Sequence, residues 1–371
     1  MIRRSAVMLA LIAMIMGLVS GFSSSSAWAA SGNPVATYLS PEKIEFVSYS
    51  KKWNQKKLKA LYVELMKNTH GEELRYLGKV VLSPEEKEDE LGVANMGYSW
   101  TEDDLSDIEM DEPTEIILYD ADNLSTVESL STTLSHEYGH HFTYYWLIKK
   151  EHKLPSDSTT KWAAIRGIQN YPVLFTEDTS DPEYTHYWDP GEIMADDYMA
   201  MFGSPTAKLS MVKSHQSQEG RGFYGEIENE SLPPATTLAS VRSYWLKLSG
   251  IKDPLPLVFK EPKLTKIQAV ESGEEEEGID HKLTFEAGSA APAVAGRLQY
   301  SVYWTYEDEG EETFDYTDLT TGKRYLVVPG GLPETELTLT VYAYDPKTRQ
   351  YVYARPVTYD LSDPEDPILV N

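Results

Sequence analysis

Residues 132–146 read TTLSHEYGHHFTYYW, with His136 and His140 four apart and Glu137 directly after the first histidine. On a helix, residues four apart project from one face, so both imidazoles can direct a ring nitrogen at a single ion. Glu137 then sits one step around, close to the ion but not on it. Two neutral nitrogen donors suit zinc, and a neighbouring carboxylate is placed to take a proton from water beside the metal. The chain has no cysteine, so any metal must be held by imidazole and carboxylate, and a thiol nucleophile is excluded. His141 falls on the same side as Leu130 and Leu134, where packing or a hydrogen bond is its expected role.

A catalytic zinc requires a third protein ligand and an open fourth position. The extended pattern H-E-x-x-H-x-x-G-x-x-H would supply that ligand from the same helix, but Thr143 and Trp146 occupy its glycine and final histidine positions. The better donor is Glu192 in GEIMADDYM, with Asp196 one helical turn later. With Asp189 as N-cap, Glu192 is also the third helical residue, where a glutamate can serve as a capping-box partner instead of a ligand.

His136-Glu137-Tyr138-Gly139-His140 followed by Glu192-Ile193-Met194-Ala195-Asp196 resembles the H-E-x-x-H plus E-x-x-x-D signature of gluzincin metallopeptidases. The compact layout is similar to that of the lethal-factor-like and clostridial proline-specific endopeptidases. The resemblance covers residues 91–204. It implies Zn2+ as cofactor, His136, His140 and Glu192 as metal ligands, Glu137 as the catalytic general base, and Asp196 orienting a ligand histidine from behind. It also implies a tyrosine shortly before the ligand glutamate that assists the transition state. Tyr184 and Tyr187 are the candidates, with aromatic packing the alternative for each. Upstream, ANMGYSW followed by EIILYD has the placement of the family's edge strand, on which an extended peptide adds as a further strand. The expectation is a secreted zinc endopeptidase acting on peptide or protein substrates. The rival is a cell-envelope binding protein whose metal site is degenerate or structural.

The elements that must position these residues are legible in part. KKWNQKKLKALYVELMKN places Leu58, Leu61, Tyr62 and Leu65 on one helical face with lysines opposite. Strands are expected at 75–83, 91–100 and 114–121, with TEDDLSDIEMDEP as an acidic loop between the last two. Ser125 to Glu128 fits a capping box opening a helix that runs to about Lys149 and presents Val127, Leu130, Leu134, Tyr138 and His141 on one side. A second helix should begin with Asp189 as cap and Pro190 at its first position and end at Gly203, and a third should span 236–250. Beyond Pro262 the texture becomes short alternating runs between Gly, Pro and Asp turns, as in an antiparallel sandwich. ESGEEEEGID reads as a solvated acidic loop within it. The expected architecture is an α+β zincin-like catalytic domain over residues 31–255 followed by an all-β immunoglobulin-like sandwich over 256–371, available to bind a surface partner.

The N-terminus carries Arg3 and Arg4, an apolar run from Ala6 to Val19, and a small-residue site at Ala27-Trp28-Ala29. That pattern reads as a secretory signal peptide over residues 1–30, leaving no integral membrane span after cleavage. The protein is therefore expected outside the cell, free or associated with the cell wall. At 371 residues the chain is long for a single core, and its formal net charge of −26 repels nucleic acid while favouring cations.

Overall fold

The computed structural model describes residues 33–370 except 88–89, 102–104, 209–231, 233–234, 254–255, 272–278, 309–310, 318, 322, 329–335 and 349. Residues 1–30, expected to be a signal peptide, Asp103 of the first acidic loop, and the acidic run at 272–278 lie outside the described residues. The architecture is a mixed α/β region followed by antiparallel sheets.

Five strands form the first sheet: β1 (Ala36–Leu39), β2 (Glu45–Ser48), β3 (Leu77–Leu82), β4 (Gly92–Ser99) and β5 (Glu109–Leu118). Their spatial order is β1-β2-β3-β5-β4. The β2–β3 and β3–β5 pairs are parallel, whereas β4 runs antiparallel to β5 and forms an edge. β5 starts within the acidic stretch expected to be a loop. Its first residues pair only with β4, at Ser99–Glu109 and Tyr98–Met110, and pairing with β3 begins at Thr114. Pro113 therefore sits where no amide is needed on the β3 side, which lets a proline occupy the strand.

Helix α1 (Gln55–Leu65) is capped by Asn54 and buries Leu58, Leu61 and Leu65. Helix α2 (Val127–Glu151) lies across the sheet with Leu130, Leu134 and Tyr138 fully buried, as the helical spacing predicts. Its capping box is shifted one residue from expectation, with Thr126 and Ser129 exchanging the reciprocal bonds. Ser125 remains outside the helix, its carbonyl accepting from the Lys57 ammonium at 2.7 Å. A short α3 (Lys161–Arg166) precedes α4 (Pro190–Phe202), which opens on Asp189 and Pro190 and closes at Gly203 as expected. Helix α5 (Ala239–Ser249) completes this core, preceded by a single 3-10 turn at Ala235–Thr237. Among the described residues no helix is long and apolar enough to cross a membrane.

A second core lies beyond residue 258. A three-stranded sheet of β6 (Lys263–Glu271), β7 (Ile279–Glu286) and β11 (Tyr325–Val328) faces a seven-stranded one. The latter contains β8 (Gln299–Asp308), β9 (Glu311–Tyr316), β10 (Thr320–Thr321), β12 (Glu336–Asp345), β13 (Gln350–Tyr353), β14 (Val357–Asp360) and β15 (Ile368–Leu369). Leu283 and Phe285 of one sheet share this core with Val302, Trp304, Leu339 and Val341 of the other.

Candidate metal centre

The helix crossing of α2 and α4 builds the centre. Gly139 lies at the contact: a Cβ added there would come within 2.8 Å of the Ala195 carbonyl oxygen, so any other residue would push the helices apart. The close approach brings Glu192 and Asp196, one turn apart on α4, to the histidine face of α2. His136 Nε2 lies 3.0 Å from Glu192 Oε2 and 3.2 Å from His140 Nε2, and His140 Nε2 lies 3.3 Å from Glu192 Oε2. Donors about 2.0–2.1 Å from a tetrahedral zinc are separated by roughly 3.3 Å, so this triangle fits the ion without rearrangement. His136, His140 and Glu192 form a group able to hold a metal ion.

Asp196 Oδ1 stands 2.9 Å from His136 Nδ1. With the proton on Nδ1 donated to that carboxylate, the Nε2 lone pair is turned toward the cluster. Glu192 is a member of the cluster and not a capping-box partner, because the Asp189 amide that it would accept from donates to the His186 carbonyl at 3.1 Å. Glu137 is buried beside the cluster but outside the donor triangle. Its carboxylate faces the edge strand: a Cβ on Gly92 would stand 2.6 Å from Glu137 Oε1. Gly92 thus keeps clear the space that the carboxylate needs.

The electrostatics follow from burial and mutual contact. Burial alone would lower the His136 pKa, but hydrogen bonds to Asp196 and Glu192 push it well above the ordinary value. His140 is likewise raised, burial being outweighed by Glu192. Burial would raise Glu192, but His140 and His136 hold its carboxyl far below the usual range. Glu137 moves the other way: burial pushes it up, His136 and His140 offset part of the rise, and Glu192 adds to it. Burial and the neighbouring charges thus move the two carboxyl groups in opposite directions.

The structure brings His136, Glu137, His140, Glu192 and Asp196 together. The Tyr184 hydroxyl bonds the Asp189 carboxylate, and the Tyr187 ring meets Trp188 edge-on at 5.1 Å. From the same segment His186 reaches Glu192, its exposed ring placing Nε2 3.3 Å from Glu192 Oε1. No motif marks His186, which lies six residues before the glutamate on an irregular turn. The His141 expectation is met by hydrogen bonds to Thr114 Oγ1 at 2.8 Å and to the Glu73 carbonyl at 2.9 Å. The chain matches no protein-family model and no curated protein, so the assignment rests on the residues and their geometry.

Proposed function

We propose that the chain is a secreted zinc-dependent endopeptidase of the gluzincin kind, with a zincin-like catalytic unit over residues 31–255 and an immunoglobulin-like sandwich over 256–371. The observation that carries the reading is the convergence of His136 Nε2, His140 Nε2 and Glu192 Oε2 with Glu137 beside them and outside the triangle. A purely structural zinc site usually closes with four protein ligands and has no use for an adjacent base. That arrangement weighs against the envelope-binding alternative.

His136, His140 and Glu192 hold the ion, and Asp196 fixes the His136 tautomer. Bound there, zinc supplies Lewis acidity, which lowers the pKa of water and polarises a carbonyl. Glu137 accepts the proton of the attacking water and returns it to the leaving amine. The edge strand β4 passes directly by Glu137 at Gly92, so a peptide added along this edge would run past the base.

The test is digestion of a peptide library by wild type and Glu137→Gln at equal zinc occupancy. Turnover should fall on the order of 10²–10⁴-fold in the variant, with substrate affinity largely kept. Equal cleavage by both proteins would refute the role of Glu137, and cleavage by neither would favour the binding-protein alternative.

A further inference from the structure

A row of aromatic rings leads away from the metal centre toward the rim of the edge strand. The Tyr144 ring lies 6.3 Å from that of His140, Tyr98 lies 6.5 Å from Tyr144, and Trp100 stacks on Tyr98 at 6.1 Å and 25°. Tyr98 and Trp100 are two apart on an extended chain and therefore share one face. Trp100 is 38% exposed, so the outer end of the row is open to solvent.

Carboxylates flank this row. The Tyr98 hydroxyl donates to Glu177 Oε2 at 3.3 Å. The Tyr144 hydroxyl and Asp189 Oδ1 come within 3.1 and 3.0 Å of the position that a Cβ on Gly191 would occupy, so the two lie side by side. Burial, followed by the charges of Glu177 and Asp189, pushes the Tyr144 hydroxyl pKa well up. Glu177 also accepts from the Ser156 side chain and backbone, and Asp189 from the Gly191 amide and the Tyr184 hydroxyl, but among the described residues neither forms an ion pair with a lysine or arginine. Aromatic faces next to carboxylates that lack a cation form a site for one: the ring quadrupoles and the full negative charges attract the same partner.

We propose that Tyr98, Trp100 and Tyr144, with Glu177 and Asp189, form a substrate subsite that takes a lysine or arginine side chain of a peptide lying along β4. The proposal rests on the peptidase reading for its substrate, and it adds the class of side chain recognised. The aliphatic stem of the residue lies along the rings while its charged end reaches Glu177 at the rim. The exposed position of Glu177 lets the cation keep part of its hydration, and the preference weakens as salt screens it.

The experiment has a binding arm independent of turnover. The full-length, zinc-loaded Glu137→Gln protein is titrated with short peptides from a positional library in which one residue at a time is lysine, arginine, norleucine or glutamate. At one position lysine or arginine should bind roughly tenfold tighter than norleucine, with glutamate weakest. Glu177→Gln should remove most of that difference, and Glu177→Lys should turn it toward glutamate. Equal binding of lysine and norleucine at every position, or an undiminished preference in Glu177→Gln, would overturn the subsite. The wild-type digest separates the two ideas. Cleavage without a basic preference sinks the subsite alone, whereas charge-dependent binding without cleavage sinks the peptidase reading alone.

Discussion

Helix α2 carries two adjacent histidines, His140 and His141, whose surroundings differ in one respect that decides their chemistry. On the inner side, His141 has both ring nitrogens committed, to Thr114 and to the Glu73 carbonyl, and burial drives its pKa down to about 4. The Glu73 carboxylate beside it is satisfied by the Tyr138 hydroxyl at 3.0 Å, the Trp146 indole at 3.0 Å and the Gly71 amide at 2.7 Å. On the outer side, His136 Nε2, His140 Nε2 and Glu192 Oε2 converge on one point at 3.0–3.3 Å from one another, and among the described residues the only partners these three atoms share there are each other. The same residue types form a closed hydrogen-bond network on one face and a convergent ligand set on the other. A buried polar cluster whose donors and acceptors balance is structural, and one with surplus acceptors facing a common point is built for a cation.

The comparison can be broken by exchanging which histidine is lost. His141→Ala removes a fully buried ring and leaves Thr114 and the Glu73 carbonyl unpaired, so chemical denaturation should show a loss of about 3 kcal/mol. His140→Ala should cost the zinc-stripped protein less, because His136 still pairs with the Glu192 carboxylate that His140 leaves. The His141 term also has a pH signature. Its folded pKa lies below the unfolded value, so the unfolded chain binds more protons between about 6.5 and 4, and the stability it confers is lost as pH falls through that window. The deficit of His141→Ala should therefore be largest above pH 6.5 and shrink toward pH 4. A pH-independent deficit would mean that the ring is not held neutral.

A smaller effect belongs to the carboxylate behind the cluster. Asp196→Ala frees the His136 ring and should weaken zinc binding about 10–100-fold while the ion still binds. Titration against a competing chelator measures the loss, and unchanged affinity would remove Asp196 from the centre. The smallest effect is expected from the β-rich region. Arg166, Asp196, Asp197 and Tyr351 line one cavity behind α4, and the buried Tyr351 of β13 feels both aspartates. Tyr351→Ala should lower zinc affinity by less than Asp196→Ala, with Tyr351→Phe close to wild type. No change in Tyr351→Ala would make the second region irrelevant to the metal.

Much of the centre was legible because helical periodicity and capping are local rules. The four-residue spacing of His136 and His140, the turn from Glu192 to Asp196, and the Asp189-Pro190 helix start all appear as read. What was not legible depends on which elements meet. Nothing near residue 92 announces that a glycine is needed, because the constraint is the Glu137 carboxylate, far along the chain. His186 reaches Glu192 through an irregular turn that has no period to detect. The saturation of Glu73 comes from residues 138 and 146, so its structural role shows only once the helix is laid on the sheet. The one-residue shift of the capping box arose where two hydroxyl residues were adjacent and either could cap.

The central claim is that three side chains on the outer face hold one zinc. The direct measurement is metal content by elemental mass spectrometry on the purified protein, compared with His140→Ala and Glu192→Ala after equilibration with limiting zinc. The account predicts one zinc per wild-type chain and most of it lost in each variant, with fold intact by circular dichroism. Stoichiometric zinc in both variants would contradict it.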